Sequence, residues 1–235
     1  MLALAPAVLS AQFRSGAVYE DLDDSETVAA FKAHVRMLSA ASLEGRKAGS
    51  EGEKEAAEYV EQKFREYGVD LLPPSGGELF GVMKETGDTL TSRNVIGYVE
   101  GYDKNLRNDY IVVAARLDNI GTMTMTVDGK PVERVFYGAN GNASGLAVLL
   151  ELARMAQTNS ILFRRSVLFV AFGSSMESYA GAWYFLNRSF SQAGKIDAMV
   201  NLDMLGTGYN GFYAYTASNT DLNTVLSRLS GELQP

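Results

Sequence analysis

The chain has 235 residues, 46% of them hydrophobic and 21% charged, which suits one ordinary globular domain with a real core. A formal net charge of -7 with no basic block argues against a nucleic-acid partner, and the lack of cysteine excludes disulfides and thiolate metal sites. There is one histidine, His34, so little imidazole is on offer for zinc.

The chain opens on the apolar stretch MLALAPAVLSAQF, with small residues near Ser10 and Ala11. It reads as a signal-peptide remnant over residues 1–11, though without the usual basic start, and gives an expectation of a secreted or periplasmic protein. Ser25 to Ala40 opens on a serine cap and carries Val28, Phe31, Val35 and Leu38 at helical spacing. His34 lies beside that stripe and reads as a surface or half-buried helix residue. SLEGRKAGSEG is a polar loop, so Arg46 and Lys47 read as solvated charge. EKEAAEYVEQKFREYG is a second helix closed by Gly68.

PPSGG marks a turn, and Leu79–Lys84 and Asn94–Tyr98 read as strands. DYIVVAA is a strand buried on both faces. TMTMTVDGKPVERVFY alternates around Asp128-Gly129 and reads as a hairpin. Asn142 to Ala156 is a helix with Leu146, Leu149, Leu150 and Ala153 on one side. SVLFVAF is another buried strand, MESYAGAWYFLNRSF an aromatic-rich helix, and AMVNLDML and FYAYTAS two more strands, before a last helix from Asn219 to Leu229. Tyr179, Trp183, Tyr184 and Phe185 stand at helical spacing and read as core. The expected fold is α/β: a three-layer α/β/α sandwich around a mixed, mostly parallel sheet, in one domain over residues 25–235. Nothing in it is long enough to span a bilayer.

The loop GANGNASG runs into an apolar helix without an acid, histidine, lysine or cysteine. Asn140, Asn142 and Ser144 read as turn and cap chemistry. The triplets at Asn142 and Asn187 match the glycosylation pattern, but such triplets occur by chance.

Six phrases in order resemble the co-catalytic zinc aminopeptidases, a group that includes bacterial leucyl aminopeptidases, aminopeptidase Y and glutaminyl cyclases. They are LEGRKAGSEGEKEAAEYV, RNVIGYVEG, YIVVAARLDNIG, GANGNASGLAVLLELAR, RSVLFVAFGSSMESYAGAWYFL and AMVNLDMLG, spanning about residues 43 to 206. The resemblance implies a phosphorylase/peptidase-like sandwich with two zinc ions at the strand ends in active relatives, and a further carboxyl-terminal segment that this sequence lacks. Two adjacent dications need anionic bridges and neutral imidazoles, and the bridging water needs a base.

Carried over position by position, the resemblance implies that most of this set is replaced. The first histidine position holds Arg116, whose guanidinium has no lone pair for a metal. The acid two residues on, Asp118, is kept and supports the site without binding metal. The bridging aspartate position is Gly141. The general-base position is Ser175 and the next ligand position Met176, a thioether that suits zinc poorly beside oxygen donors. Glu177 could serve only through a shift in alignment. Asp203 is the one ligand kept, and the last histidine has no counterpart. The expectation is therefore a pseudopeptidase without a cofactor, in which Arg116 pairs with Asp203 in place of the metal. Its old cleft could hold a peptide or protein. The alternatives are an active secreted zinc aminopeptidase and a decayed fragment without a role.

Overall fold

The computed structural model describes residues 8–11, 25–84, 86–190, 193–206, 212–215 and 220–233. In chain order these form strand β1 (Val8–Ala11), helices α1 (Glu26–Leu38) and α2 (Glu51–Glu66), and strands β2 (Asp70–Leu72), β3 (Glu78–Met83), β4 (Thr89–Val99), β5 (Tyr110–Arg116), β6 (Gly121–Val127) and β7 (Lys130–Phe136). Then come helix α3 (Ser144–Thr158), strand β8 (Ser166–Phe172), short helix α4 (Ala180–Tyr184), strands β9 (Ile196–Leu202) and β10 (Phe212–Tyr215), and helix α5 (Thr220–Leu233). The chain divides into two compact units, Ala29–Gly206 and a smaller one of Met1–Val28 with Thr207–Pro235. In the smaller unit β1 pairs antiparallel with β10, Val8 opposite Tyr215. The rest of the apolar start, residues 1–7, lies outside the described residues, as do Thr216–Asn219 of the expected last strand and helix.

The larger unit is built on a mixed sheet in the order β2-β4-β8-β5-β9, with β3 added along the first half of β4. Parallel pairing is confined to β8-β5-β9, while β2, β3 and β8 all pair antiparallel with β4. The sheet is therefore mixed, with β4 running against its other strands. Its parallel half is the half whose strand ends carry the site.

Strand alternation builds the three layers. On β8, Val167, Phe169 and Ala171 face one way and join Ala56, Val60 and Phe64 of α2 and Leu146, Leu149, Leu150 and Ala153 of α3. Leu168, Val170 and Phe172 face the other way and pack with Phe185, just past α4. All seven residues of β8 are buried, so this strand is the centre of the core. Burial of each large apolar side chain contributes roughly 1.5–3 kcal/mol. The β6-β7 hairpin turns at Asp128-Gly129, both left-handed, and most of its residues face solvent.

Two expectations change here. The aromatic-rich helix does not start at Met176. Ser174, Ser178 and Tyr179 take left-handed φ of 48°, 55° and 57°, so Ser174–Ala180 is a folded turn and α4 is one short helix after it. Its aromatics also divide: Phe185 is fully buried and Tyr184 stacks on Phe80, whereas Tyr179 and Trp183 are exposed.

Candidate functional site at the strand ends

The parallel strands β5, β8 and β9 end side by side, and their carboxyl ends bring Arg116, the Gly173–Met176 turn and Asp203 to one place. Arg116 is the last residue of β5. Its Nε donates to Asp203 Oδ1 at 3.0 Å and Oδ2 at 3.2 Å, and its Nη1 lies 3.6 Å from Met176 Sδ. The other terminal nitrogen faces Gly141. A Cβ placed on Gly141 would stand 3.0 Å from Arg116 Nη2, so the absence of a side chain there makes room for the guanidinium. Arg116, Gly141, Met176 and Asp203, far apart in sequence, are thus gathered around one guanidinium. Ser175 is buried beside them, its hydroxyl donating to Phe172 O at 3.1 Å. Glu177 stands further along the turn, and its carboxylate makes no hydrogen bond to the pair.

Asp118, fully buried just past β5, accepts Ser175 N at 2.6 Å and Met176 N at 2.9 Å. It therefore fixes the turn that carries Met176. Burial pushes its carboxyl above the usual range, opposed by these two amides and the nearby Arg116. Both oxygens are occupied by backbone amides.

The loop before α3 is held by its own polar residues. Asn142 Oδ1 accepts Gly145 N and Met204 N, and its amide donates to Leu202 O. Ser144 Oγ donates to Asn140 O and accepts Leu205 N, while Asn140 Oδ1 accepts Gly206 N at 2.7 Å. These side chains do more than cap a helix: they strap the loop to the segment after β9 and so place Gly141 against Asp203's neighbours.

Two buried charges were not legible as such. Arg46 is fully buried rather than solvated, and it donates to the carbonyls of Leu38, Leu117 (3.1 Å), Tyr137 (2.9 Å) and Gly138 (3.1 Å). It ties the end of β5 to the start of the Gly141 loop. Burial first, then the nearby Arg116, lower its guanidinium to about 10, with Asp118 opposing the shift. Glu53 stands three residues after the α2 cap Ser50, in a variant of the capping box whose acid reaches the residue before the cap. Ser50 Oγ accepts Glu53 N, and Glu53 Oε2 accepts Gly49 N at 2.7 Å. Its second oxygen accepts Ser92 Oγ at 2.7 Å and Ser174 N at 3.0 Å, which joins α2 to the site turn. The box itself was readable in SEGE; its reach across the fold was not.

His34 is buried, not on the surface, and lies away from these strand ends. Its ring nitrogens meet Tyr59 Oη at 2.7 Å and Tyr67 Oη at 2.9 Å, with Glu151 at 3.4 Å. It is tied into the contact between α1, α2 and α3.

The residues at the strand ends do not fit a pair of zinc ions. Among the four gathered positions only Asp203 offers an oxygen donor, and the guanidinium occupies it. Among the described residues no group of three or more His, Cys, Asp or Glu could hold a metal ion.

The family model for peptidase family M28 matches residues 94–234. Aminopeptidase YwaD of Bacillus subtilis (strain 168) is 27% identical over 168 residues, which is 64% of this chain and 32% of that protein. The chain therefore aligns with about a third of that relative's length. Among solved structures, the zinc aminopeptidase BSAP of Bacillus subtilis superposes with a TM-score of 0.59 at 16% identity, over 77% of this chain and 70% of that one. The aminopeptidase from Aneurinibacillus sp. strain AM-1 gives 0.58 at 17%, over 75% and 70%. A glutaminyl cyclase of Bacteroides thetaiotaomicron gives 0.57 at 19%, over 77% and 62%. At these identities the structural likeness is one of fold.

Proposed function

The chain belongs to peptidase family M28, and we propose that within it this is a non-catalytic member, a pseudopeptidase whose cleft binds a peptide or protein without hydrolysing it. The observation that carries the reading is the Arg116 Nε contact with both oxygens of Asp203. Relatives are named as zinc aminopeptidases. A fixed cation here sits on the one remaining carboxylate and supplies the positive charge that a metal would otherwise bring. Gly141 and Met176 add no anionic donor, and Ser175, hydrogen-bonded to a backbone carbonyl, is no base for water. Fold is thus shared with hydrolases while the chemistry is not, a division that sites on common folds regularly show.

The test is metal content after zinc loading and dialysis, read beside hydrolysis of aminoacyl p-nitroanilides. The reading expects no retained zinc and no turnover. Retention of about two zinc ions per chain, the stoichiometry of a two-metal hydrolase, would overturn it and establish an active aminopeptidase. Export is part of the same proposal and rests on the apolar stretch Met1–Phe13; fractionation of expressing cells checks it. Among the described residues no helix is long and apolar enough to cross a membrane.

A further inference from the structure

We propose that the cleft floor is a carboxylate site: the terminal nitrogens of Arg116 take a free carboxylate whose neighbouring apolar group rests on Met176 and Met204. This rests on the reading of a metal-free cleft and names the chemistry of its ligand.

The argument begins with the five N–H donors of Arg116. The N–H on Nε is used by Asp203, and Nη1 has only a thioether sulfur at 3.6 Å. Among the described residues no oxygen accepts from either terminal nitrogen. A planar guanidinium whose Nη1–Nη2 edge lacks oxygen partners is the geometry that carboxylates meet with two parallel hydrogen bonds. Arg46, which donates to Leu117 O just past β5, shows the contrast: its nitrogens are consumed by four backbone carbonyls and it is wholly buried. The Arg116 side chain keeps 15% of its surface exposed, so a ligand can reach it.

The walls are apolar and adaptable. Met176 is 48% exposed and Met204 50%, unusual for such side chains. Met176 touches the guanidinium from the β8 side. Met204 comes from the segment after β9, with its Cγ 4.0 Å from the point where a Gly141 side chain would begin, the same point that lies 3.0 Å from Nη2. Guanidinium, Gly141 and Met204 are therefore close neighbours. Methionine pairs at a surface suit apolar groups of varied shape. Both are held in position: Met176 by its amide on Asp118, Met204 by its amide on Asn142. A cation beside two exposed methionines fits a carboxylate next to an apolar side chain, as at the carboxyl terminus of a peptide or in a small branched or aromatic acid. It does not fit a free amine, which would meet the guanidinium as a like charge.

The experiment is calorimetric titration of the full chain with four probes: acetyl-Ala-Ala-Phe with a free carboxylate, its carboxyl-terminal amide, Ala-Ala-Phe amide with a free amine, and 3-phenylpropionate. The proposal expects the free carboxylate to bind about tenfold or more tighter than its amide, the scale of a charge-assisted pair. Equal binding of 3-phenylpropionate identifies the source as any apolar acid; binding of the peptide alone identifies a peptide terminus. Either supports the carboxylate site. Arg116→Gln should remove the preference. Gly141→Asp should remove it too, by placing an acid against Nη2, whereas Gly141→Asn, of equal bulk but neutral, should retain more of it. Circular dichroism melts confirm that each variant is folded. Preference for the free-amine probe, or no carboxylate preference in the native chain, overturns the inference while leaving the zinc test of the metal-free reading intact. Retained zinc would overturn that reading itself.

Discussion

Arg46 and Arg116 carry the same guanidinium on either side of the carboxyl end of β5, but one is built in and the other is presented. Arg46 is fully buried and its donors end on four backbone carbonyls. Arg116 is part exposed, spends its Nε on a half-exposed Asp203 and leaves its terminal nitrogens toward Met176 and Gly141. Asp118 lies near Arg46, and Glu53 near Asp118; both are buried and accept backbone amides. The difference separates two jobs. The inner set, Arg46, Asp118 and Glu53, makes the strand ends and their turns rigid. The outer pair makes a surface with chemistry left over.

The inner set should give the largest effects. Arg46→Met leaves four backbone carbonyls without this donor and removes one of the two cations near Asp118, Arg116 being the other. A loss of about 3–5 kcal/mol is expected, the scale for breaking a buried charged cluster. Urea unfolding against the native chain measures it. A loss under about 1 kcal/mol would show that Arg46 is hydrated in solution and would collapse the contrast. Asp118→Asn comes next. The amide has one carbonyl oxygen, so either Ser175 N or Met176 N loses its acceptor, at about 1–3 kcal/mol. The same variant should loosen the Met176 turn, seen as faster hydrogen exchange of those amides.

The pH dependence of stability is set apart from both. Burial lowers the His34 pKa, with Glu151 opposing and Lys63 adding to the shift. The folded chain therefore resists a proton that the unfolded chain takes near 6.5. Between the folded value and 6.5 the unfolded state binds more protons, so stability falls as pH drops below about 6.5, by at most about 1.4 kcal/mol per unit. Asp118 and Glu53 carry raised values and so act in the opposite sense on acidification. They are present in His34→Gln as well, so the difference between the two proteins isolates His34. The variant should lose less stability than the native chain between pH 7 and 5.5; parallel curves would show that the ring is solvated.

Much of this fold was legible because the continuous apolar run SVLFVAF marks a strand buried on both faces and the helical stripe of α3 carries its burial in its spacing. The strand-end positions were legible through the order of the motifs, which put Arg116, Gly141, Met176 and Asp203 at junctions that the fold then brings together. The failures have one cause. Arg46 sits in a glycine-punctuated polar loop, where no periodicity reports that the loop is folded inward over β5. His34 lies beside an apolar stripe, and only the approach of Tyr59, Tyr67 and Glu151 from α2 and α3 buries it. Trp183 and Tyr179 were read as core because helical spacing was extended through two left-handed residues, Ser178 and Tyr179, that interrupt the helix pattern. Burial of a charge and exposure of an aromatic are both set by what other segments bring, and a local pattern does not contain that.

The smallest expected effect is the one that sharpens the contrast most. Arg116→Ala removes a pair whose side chains remain 15% and 39% exposed, and such pairs contribute about 0–1 kcal/mol once water screens them. Asp203 is left with access to water, so little desolvation cost is stranded. Urea unfolding of Arg116→Ala should therefore fall within about 1 kcal/mol of the native chain, while Arg46→Met falls far below it. A cost for Arg116 as large as that for Arg46 would mean that the outer pair holds the strand ends together. Its persistence at the site would then need no ligand to explain it. A near-silent substitution leaves the opposite conclusion: the guanidinium adds little to the fold, and what it offers is the unpaired edge that it turns toward Gly141.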